Sequence, residues 1–167
     1  MFELKPITPS GIAAALEKAE RYRLLNDPFA AESICLDVLE VEPANQDALV
    51  ALLLARTDQF ATSHGAGDAA ARGVLPRLTS EYDRAYYAGL IAERRGKVLL
   101  NAARPGSQAM AWHCFRDAMD AYEKAGAIRP AGNDEALLRW NTCARVLNAH
   151  PELAPAHPAT FEPVLDD

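Results

Sequence analysis

The sequence predicts an all-α protein built from repeated helix pairs. Apolar residues recur at three- and four-residue spacing through most of the chain, which is typical of helices, and no stretch alternates as a strand does. Residues 27–45 and 115–133 also share one design: an amphipathic helix, a closing proline and an asparagine. A helical unit that occurs twice favours a repeat protein, and we expect about seven helices.

Prolines and capping residues divide the first half of the chain into four helices. Pro28 suits the first turn of the second helix, and Pro43 closes that helix. The third helix, from about residue 46 to 60, is apolar nearly all round and is expected at the centre of the protein. Asp68 is expected to cap a short fourth helix, which Pro76 kinks or shortens.

The second half of the chain predicts three longer helices. Ser80 caps the fifth, the turn at residues 104–107 separates it from the sixth, and Asn133 or Asp134 caps the seventh. The expected buried residues are Tyr82, Ala85, Gly89, Ala92 and Leu99 in the fifth helix, Met110, Cys114, Ala118, Ala121, Tyr122 and Ala125 in the sixth, and Leu137, Trp140, Ala144 and Leu147 in the seventh.

Length and composition indicate one helical domain with short flanking segments. The chain has 167 residues, of which 50% are apolar, enough for a core. We expect an extended lead-in over residues 1–10, the helical domain over 11–150, and a proline-rich tail over 151–167 that has little to bury.

Charge and patterning disfavour several classes of function. A net charge of -6 argues against nucleic acid and against an anionic membrane surface. The longest apolar run, residues 48–55, is far shorter than the ~20 residues of a membrane span. The N-terminus has no secretory pattern, and three cysteines do not make a disulfide framework. We expect a cytoplasmic protein with reduced thiols.

Small and large residues at fixed helical positions resemble the tetratricopeptide repeat family, whose unit is a helix pair of about 34 residues. The first copy reads Ala15, Lys18, Ala19, Tyr22, Ala31, Cys35 and Pro43, and the third reads Ala85, Ala88, Gly89, Ala92, Ala118, Tyr122 and Pro130. The middle copy, Leu49, Leu52, Leu53, Arg56, Ala70 and Val74, lacks a closing proline. The resemblance implies a right-handed superhelical array of three pairs, with the seventh helix as a cap.

The third copy departs from the repeat because Gly89 and Ala118 lie much further apart than Ala19 and Ala31. Helical patterns continue on both sides of residues 104–106. The third pair is therefore predicted to be elongated, as a protruding hairpin over about residues 92–117.

The resemblance also implies a partner-binding groove lined by the first helix of each pair. The groove residues are Leu16, Glu20, Arg23, Asp47, Val50, Leu54, Tyr86, Leu90, Arg94, Asn141 and Arg145, and Trp112 is a further candidate on the hairpin. Leu16 and Glu20 stand where chaperone-binding members carry Lys and Asn, which argues against a chaperone tail as ligand. A mixed groove suits an amphipathic segment. Alternatively, neighbouring helices or the chain's own tail cover Val50, Leu54 and Leu90.

Catalytic motifs are not found in the sequence. His113, Cys114, Cys143 and His150 are the only candidates for a metal or thiol site. Consecutive helical residues point about 100° apart, so His113 and Cys114 do not readily face one ion. We expect structural thiols, with no metal and no cofactor, and we expect Trp140 in the core.

The sequence thus favours a non-enzymatic interaction module, an adaptor or scaffold that binds another protein or a peptide. The alternative is a homo-oligomeric structural protein that self-associates through the long hairpin or the tail. An enzyme is the third interpretation and rests only on the histidine and cysteine set.

Overall fold

The computed structural model describes residues 2–62, 66–102 and 104–155. These residues form seven α-helices and no β-strand, which confirms the all-α prediction. The helices are α1 (Ile12–Leu24), α2 (Pro28–Val41), α3 (Gln46–Asp58), α4 (Ala66–Arg72), α5 (Glu81–Leu100), α6 (Ser107–Ala127) and α7 (Glu135–Ala149). Three single 3-10 turns accompany them, at Pro9–Gly11, Leu75–Arg77 and Pro151–Leu153.

Side-chain caps begin most of the long helices where the sequence predicts them. Asp27, Asn45 and Ser80 each accept a hydrogen bond from the backbone N–H three residues further on, at 3.1, 2.9 and 3.1 Å. The Asn133 side chain accepts one from the backbone N–H of Glu135 at 3.0 Å. Each cap satisfies a donor that the helix itself leaves free, so these starts are set by local chemistry.

The start of α4 differs from the prediction. The helix begins before Asp68, whose carboxylate therefore cannot cap it and pairs instead with Arg72, one turn further on, at 2.9 Å. Pro76 lies outside α4, in the 3-10 turn Leu75–Arg77. The proline occupies the first turn of this 3-10 helix, where its missing N–H costs no helical hydrogen bond.

Each helix packs against the next along the chain, and two hydrophobic cores result. The first core is built mainly by α1–α4, and the second by α5–α7. α5 belongs to both, because Ile91 is buried in the first core and Tyr87 packs against each. Within the described residues, no helix combines the length and apolar character needed to cross a bilayer.

The third helix pair is elongated, as predicted. α5 has 20 residues and α6 has 21, against 13 and 14 in α1 and α2. The two long helices pack closely because small residues of α5 face rings of α6: Gly89 meets Tyr122, and Gly96 meets Phe115. The lengthened part of α5 does not protrude freely, since Val98 packs against the first core.

The buried residues of α6 lie one position after the predicted ones in its first two turns, whereas Ala118, Tyr122 and Ala125 are buried as predicted. Ala111 and Phe115 are buried, whereas Met110 is 54% exposed and Cys114 is half-buried. One residue corresponds to a rotation of about 100°. The Phe115 ring sets this rotation because it fills the space that Gly96 leaves on α5.

The predicted face of α7 differs only at its start, since Trp140, Ala144 and Leu147 pack against the second core as predicted. Ala136 and Cys143 are buried in the second core, while Leu137 is 41% exposed. Trp140 is half-buried as part of this core, and its indole N–H donates to Glu123 at 3.2 Å. The sequence therefore predicted the tryptophan's packing correctly and the placement of Leu137 wrongly.

The contact between Gly89 and Tyr122 leaves no room for a methyl group. A Cβ at position 89 would lie 2.7 Å from the Tyr122 ring, so we expect Gly89→Ala to reduce the free energy of unfolding by about 1–3 kcal/mol, measured in urea. Gly126→Ala is the matched control, because its Cβ would make an ordinary 3.7 Å contact with Leu137. Equal stability of Gly89→Ala and wild type would contradict this packing.

Candidate partner-binding surface

The predicted groove residues of α1 and α3 reach the surface in the expected way. Leu16, Val50 and Leu54 are half-buried, packing against the first core while keeping part of each side chain accessible. Glu20 and Asp47 are exposed. These two helices touch each other directly, so their apolar and acidic side chains can contribute to one surface.

Asp58, at the end of α3, joins the predicted groove residues of two other helices. Arg23 of α1 donates from Nε to Asp58 Oδ2 at 2.7 Å, and Arg94 of α5 pairs with the other oxygen. Arg94 also donates to the Thr57 hydroxyl at 2.7 Å. Both arginines are thus committed to contacts within the chain and do not stand free for a partner.

The predicted groove residues of α5 are less accessible. Leu90 is only 2% exposed, and Tyr86 is 9% exposed. α5 contacts α3 and α4 on one side and α6 on the other, which leaves little of its circumference open. Neighbouring helices therefore cover Leu90, the alternative that the sequence had left open for it.

On α7, Asn141 and Arg145 are exposed as a partner-binding role requires. A further accessible surface, which the sequence did not indicate, lies between α5 and α7. It is a small pocket of about 250 Å³ lined by Tyr86, Glu135, Leu138, Arg139 and Thr142. If Cys143 had been taken as the centre of the buried face of α7, the sequence would have indicated this side of the helix.

A buried carboxylate links α5, α6 and α7. Glu93 is 0% exposed, and its Oε1 lies 2.5 Å from Lys97 Nζ and 3.3 Å from Arg139 Nη1. The Tyr122 hydroxyl donates to Oε2 at 2.7 Å. Burial and the charge of Glu93 raise the pKa of Tyr122, which keeps this hydroxyl protonated as a donor. The cluster fastens α7 to the hairpin.

Trp112 lies on the hairpin, one turn into α6. Its side chain is half-buried, and its ring meets the His113 ring edge-on at a centroid distance of 5.0 Å. Met110, two residues earlier, is exposed. This part of α6 thus presents aromatic and apolar surface, so Trp112 stays a predicted partner-binding residue.

The histidine and cysteine candidates are dispersed. Cys143 is buried, His113 is exposed, and His150 Nδ1 lies 2.9 Å from Glu152 Oε1. Over residues 2–62, 66–102 and 104–155, no three His, Cys, Asp or Glu side chains are arranged to hold a metal ion. Burial raises the pKa of Cys143 to about 12 and that of Cys35 to about 11.

Comparisons of the chain with protein families, with curated proteins and with solved structures found no match.

Removing the charge of Asp58 should weaken the ion pairs that connect α1, α3 and α5. We expect Asp58→Asn to reduce the free energy of unfolding by about 1 kcal/mol in low salt, and by less in 1 M salt, which screens half-exposed ion pairs. Asp120→Asn is the control, because Asp120 and Arg116 are 3.9 Å apart and well exposed. A salt-independent loss, or none, would show that the tie contributes no electrostatic stabilisation.

The three thiols should differ in reactivity. Cys35 and Cys143 are buried with raised pKa values, so at pH 8 their thiolate fractions are on the order of 10⁻³ and 10⁻⁴. Half-buried Cys114 is expected to react first with an aromatic disulfide reagent, and the other two only on unfolding. Rapid reaction of two or three thiols in the native protein would be inconsistent with these positions.

Proposed function

We propose that this chain is a non-enzymatic interaction module, an adaptor or scaffold of the cytoplasm that binds a partner peptide or helix. The binding surface is the groove along α1, α3, α5 and α7, supplemented by the long α5–α6 hairpin. The partner is another protein, in keeping with the acidic net charge of the chain.

The proposed arrangement is a tetratricopeptide-like superhelix. Its support is the contact pattern: α1 packs on α2, α3 on α4 and α5 on α6, while the first helices of successive pairs also touch. In such an array the first helices line the concave side. The contacts of α3 with both α1 and α5 agree with that geometry.

The observation that carries the proposal is the bridge from Arg23 through Asp58 to Arg94. It draws α1, α3 and α5 side by side and neutralises the charges between them. Half-exposed Leu16 and Leu54 belong to the same three-helix surface. A surface with an apolar floor and acidic edges fits an amphipathic segment better than a strongly charged ligand.

The non-enzymatic character is inferred from what the polar clusters do. Asp58 connects three helices, and Glu93 connects three others through Lys97, Tyr122 and Arg139. Each charged group in these clusters is satisfied by a partner within the chain. Their role is therefore assigned to helix packing.

The test uses only exposed groove positions, so that altered binding is not caused by unfolding. A photo-crosslinking amino acid replaces Asp47. In a second protein with the same crosslinker, Glu20→Lys and Arg145→Glu reverse the charge at each end of the groove. We expect one crosslinked partner, with a yield at least about fivefold lower in the double variant, the effect of roughly 1 kcal/mol.

Matched controls lie on the second helices of the pairs. The crosslinker in place of Leu36 should yield no such product. The double variant Glu40→Lys with Arg116→Glu should leave the yield from position 47 unchanged. All three residues are exposed, and they lie on α2 and α6, outside the proposed groove. Equal yields from positions 47 and 36, or an unchanged yield in the groove variant, would refute the groove assignment.

A homo-oligomeric structural role is the second candidate. The observation that favours it is a set of exposed apolar side chains where α6 ends and α7 begins, with Ile128 45%, Leu137 41% and Leu138 64% exposed. The exposed Met110 of the hairpin adds to the apolar surface of this half of the chain. A dimer in light scattering that Leu138→Glu converts to monomer would favour this role over the adaptor.

A further inference from the structure

A large pocket in the described part of the chain lies away from the groove, where the end of α3 meets the tip of the α5–α6 hairpin. Its volume is about 670 Å³, within the range of ligand-binding pockets. Its main side chains are four apolar and two cationic ones: Phe60, Val98, Leu99, Met110, Arg95 and Arg104. We call this site the tip pocket.

The two arginines of the tip pocket differ from those that hold the helices together. Arg23, Arg56 and Arg94 are each engaged by a carboxylate, whereas neither Arg95 nor Arg104 forms an ion pair with any residue that the structure describes. Lys97, also at the pocket, is engaged by Glu93. An apolar wall with uncompensated positive charge therefore calls for an occupant that is both acidic and apolar.

We propose that the occupant is the acidic segment of this same chain at residues 161–167, whose sequence is FEPVLDD. The segment lies outside the described residues, and its composition is what supports the proposal. It offers three carboxylates and no cation, together with Phe161, Val164 and Leu165. These groups complement the arginines and the apolar wall of the tip pocket.

The chain leaves the helical domain at the end of α6 that forms the tip pocket. α7 runs antiparallel to α6, since Trp140 bonds to Glu123 and the next residues of α7 follow α6 back towards its start. His150 lies ten residues after Trp140. Because both helices rise about 1.5 Å per residue, His150 lies beside about residue 113 of α6. Leu153, 1% exposed, is held there because its 3-10 turn packs against α6 and α7.

Along the axis of α6, the remaining separation is short compared with the reach of the intervening chain. Residues 156–160 and their flanking bonds can span up to about 20 Å, whereas one turn of α6 separates Met110 from that level. A tethered segment also binds at a high effective concentration, so contacts that are weak between separate molecules suffice. The inference does not depend on the groove, and a partner segment of the same chemistry would have to displace this one.

The test is photo-crosslinking of the full chain, purified and dilute, with p-benzoylphenylalanine in place of Met110. We expect an intramolecular product in which mass spectrometry locates the crosslink in residues 161–167. The control carries the same amino acid in place of Leu36, which is exposed to a similar degree and lies near the opposite end of α3. It should yield no such product.

A charge variant separates specific docking from chance contact. Arg95→Glu with Arg104→Glu should lower the yield at least about fivefold and reverse its dependence on salt, because repulsion of the acidic segment replaces attraction, while Arg21→Glu should not change the yield. Circular dichroism checks that each variant stays folded.

Three results would overturn the proposal. They are the lack of any crosslink to residues 161–167 of the same molecule, a crosslink to the segment of a second copy in a dimer-sized product, and a yield that the charge variant does not change.

Discussion

A buried carboxylate supports the second half of this protein. Glu93 has no exposed surface, and a buried charge is tolerated only when it is well paired. Three donors meet it, from Lys97, Tyr122 and Arg139. The two cations stay 44% and 38% exposed, so they keep much of their hydration while Glu93 loses its own. Such an arrangement limits the cost of burial and directs α7 to one position on the hairpin.

The next residue, Arg94, connects α5 to the helices on its other side. Arg94 points about 100° away around α5 and reaches Asp58, which also holds Arg23 of α1. Two consecutive residues of α5 therefore connect it to α6 and α7 on one side and to α3 and α1 on the other. Ile91 supports this connection by inserting into the first core. Both the proposed groove and the tip pocket depend on where α5 lies.

The local features of the fold were accessible from the sequence. Caps such as Asp27 and Ser80 act on backbone groups three residues away, and apolar periodicity spans single helices. The buried residues at the start of α6 were harder to predict. Met110 and Ala111 are adjacent and both apolar, so periodicity alone does not decide which of the two is buried. The Phe115–Gly96 contact decides it, and that contact is tertiary.

The residues of the candidate surface also differ in whether local sequence or tertiary contacts determine their position. Glu20 and Arg145, which the resemblance to the repeat family implied for the groove, are exposed, whereas the burial of Leu90 and the bridging role of Asp58 depend on neighbours far away in sequence. Glu93 lies in a charged run, Glu-Arg-Arg, that reads as a solvated face. Only its encounter with Tyr122 and Arg139 makes it the most buried charge of the described residues.

The most direct measurement is a double-mutant cycle of unfolding free energies with Glu93→Gln, Tyr122→Phe and the double variant. If the buried carboxylate and the tyrosine hydroxyl stabilise each other, the coupling energy is expected at about 1–2 kcal/mol. A coupling indistinguishable from zero would contradict the account, because Glu93 would then not be the group that fastens α6 to α5.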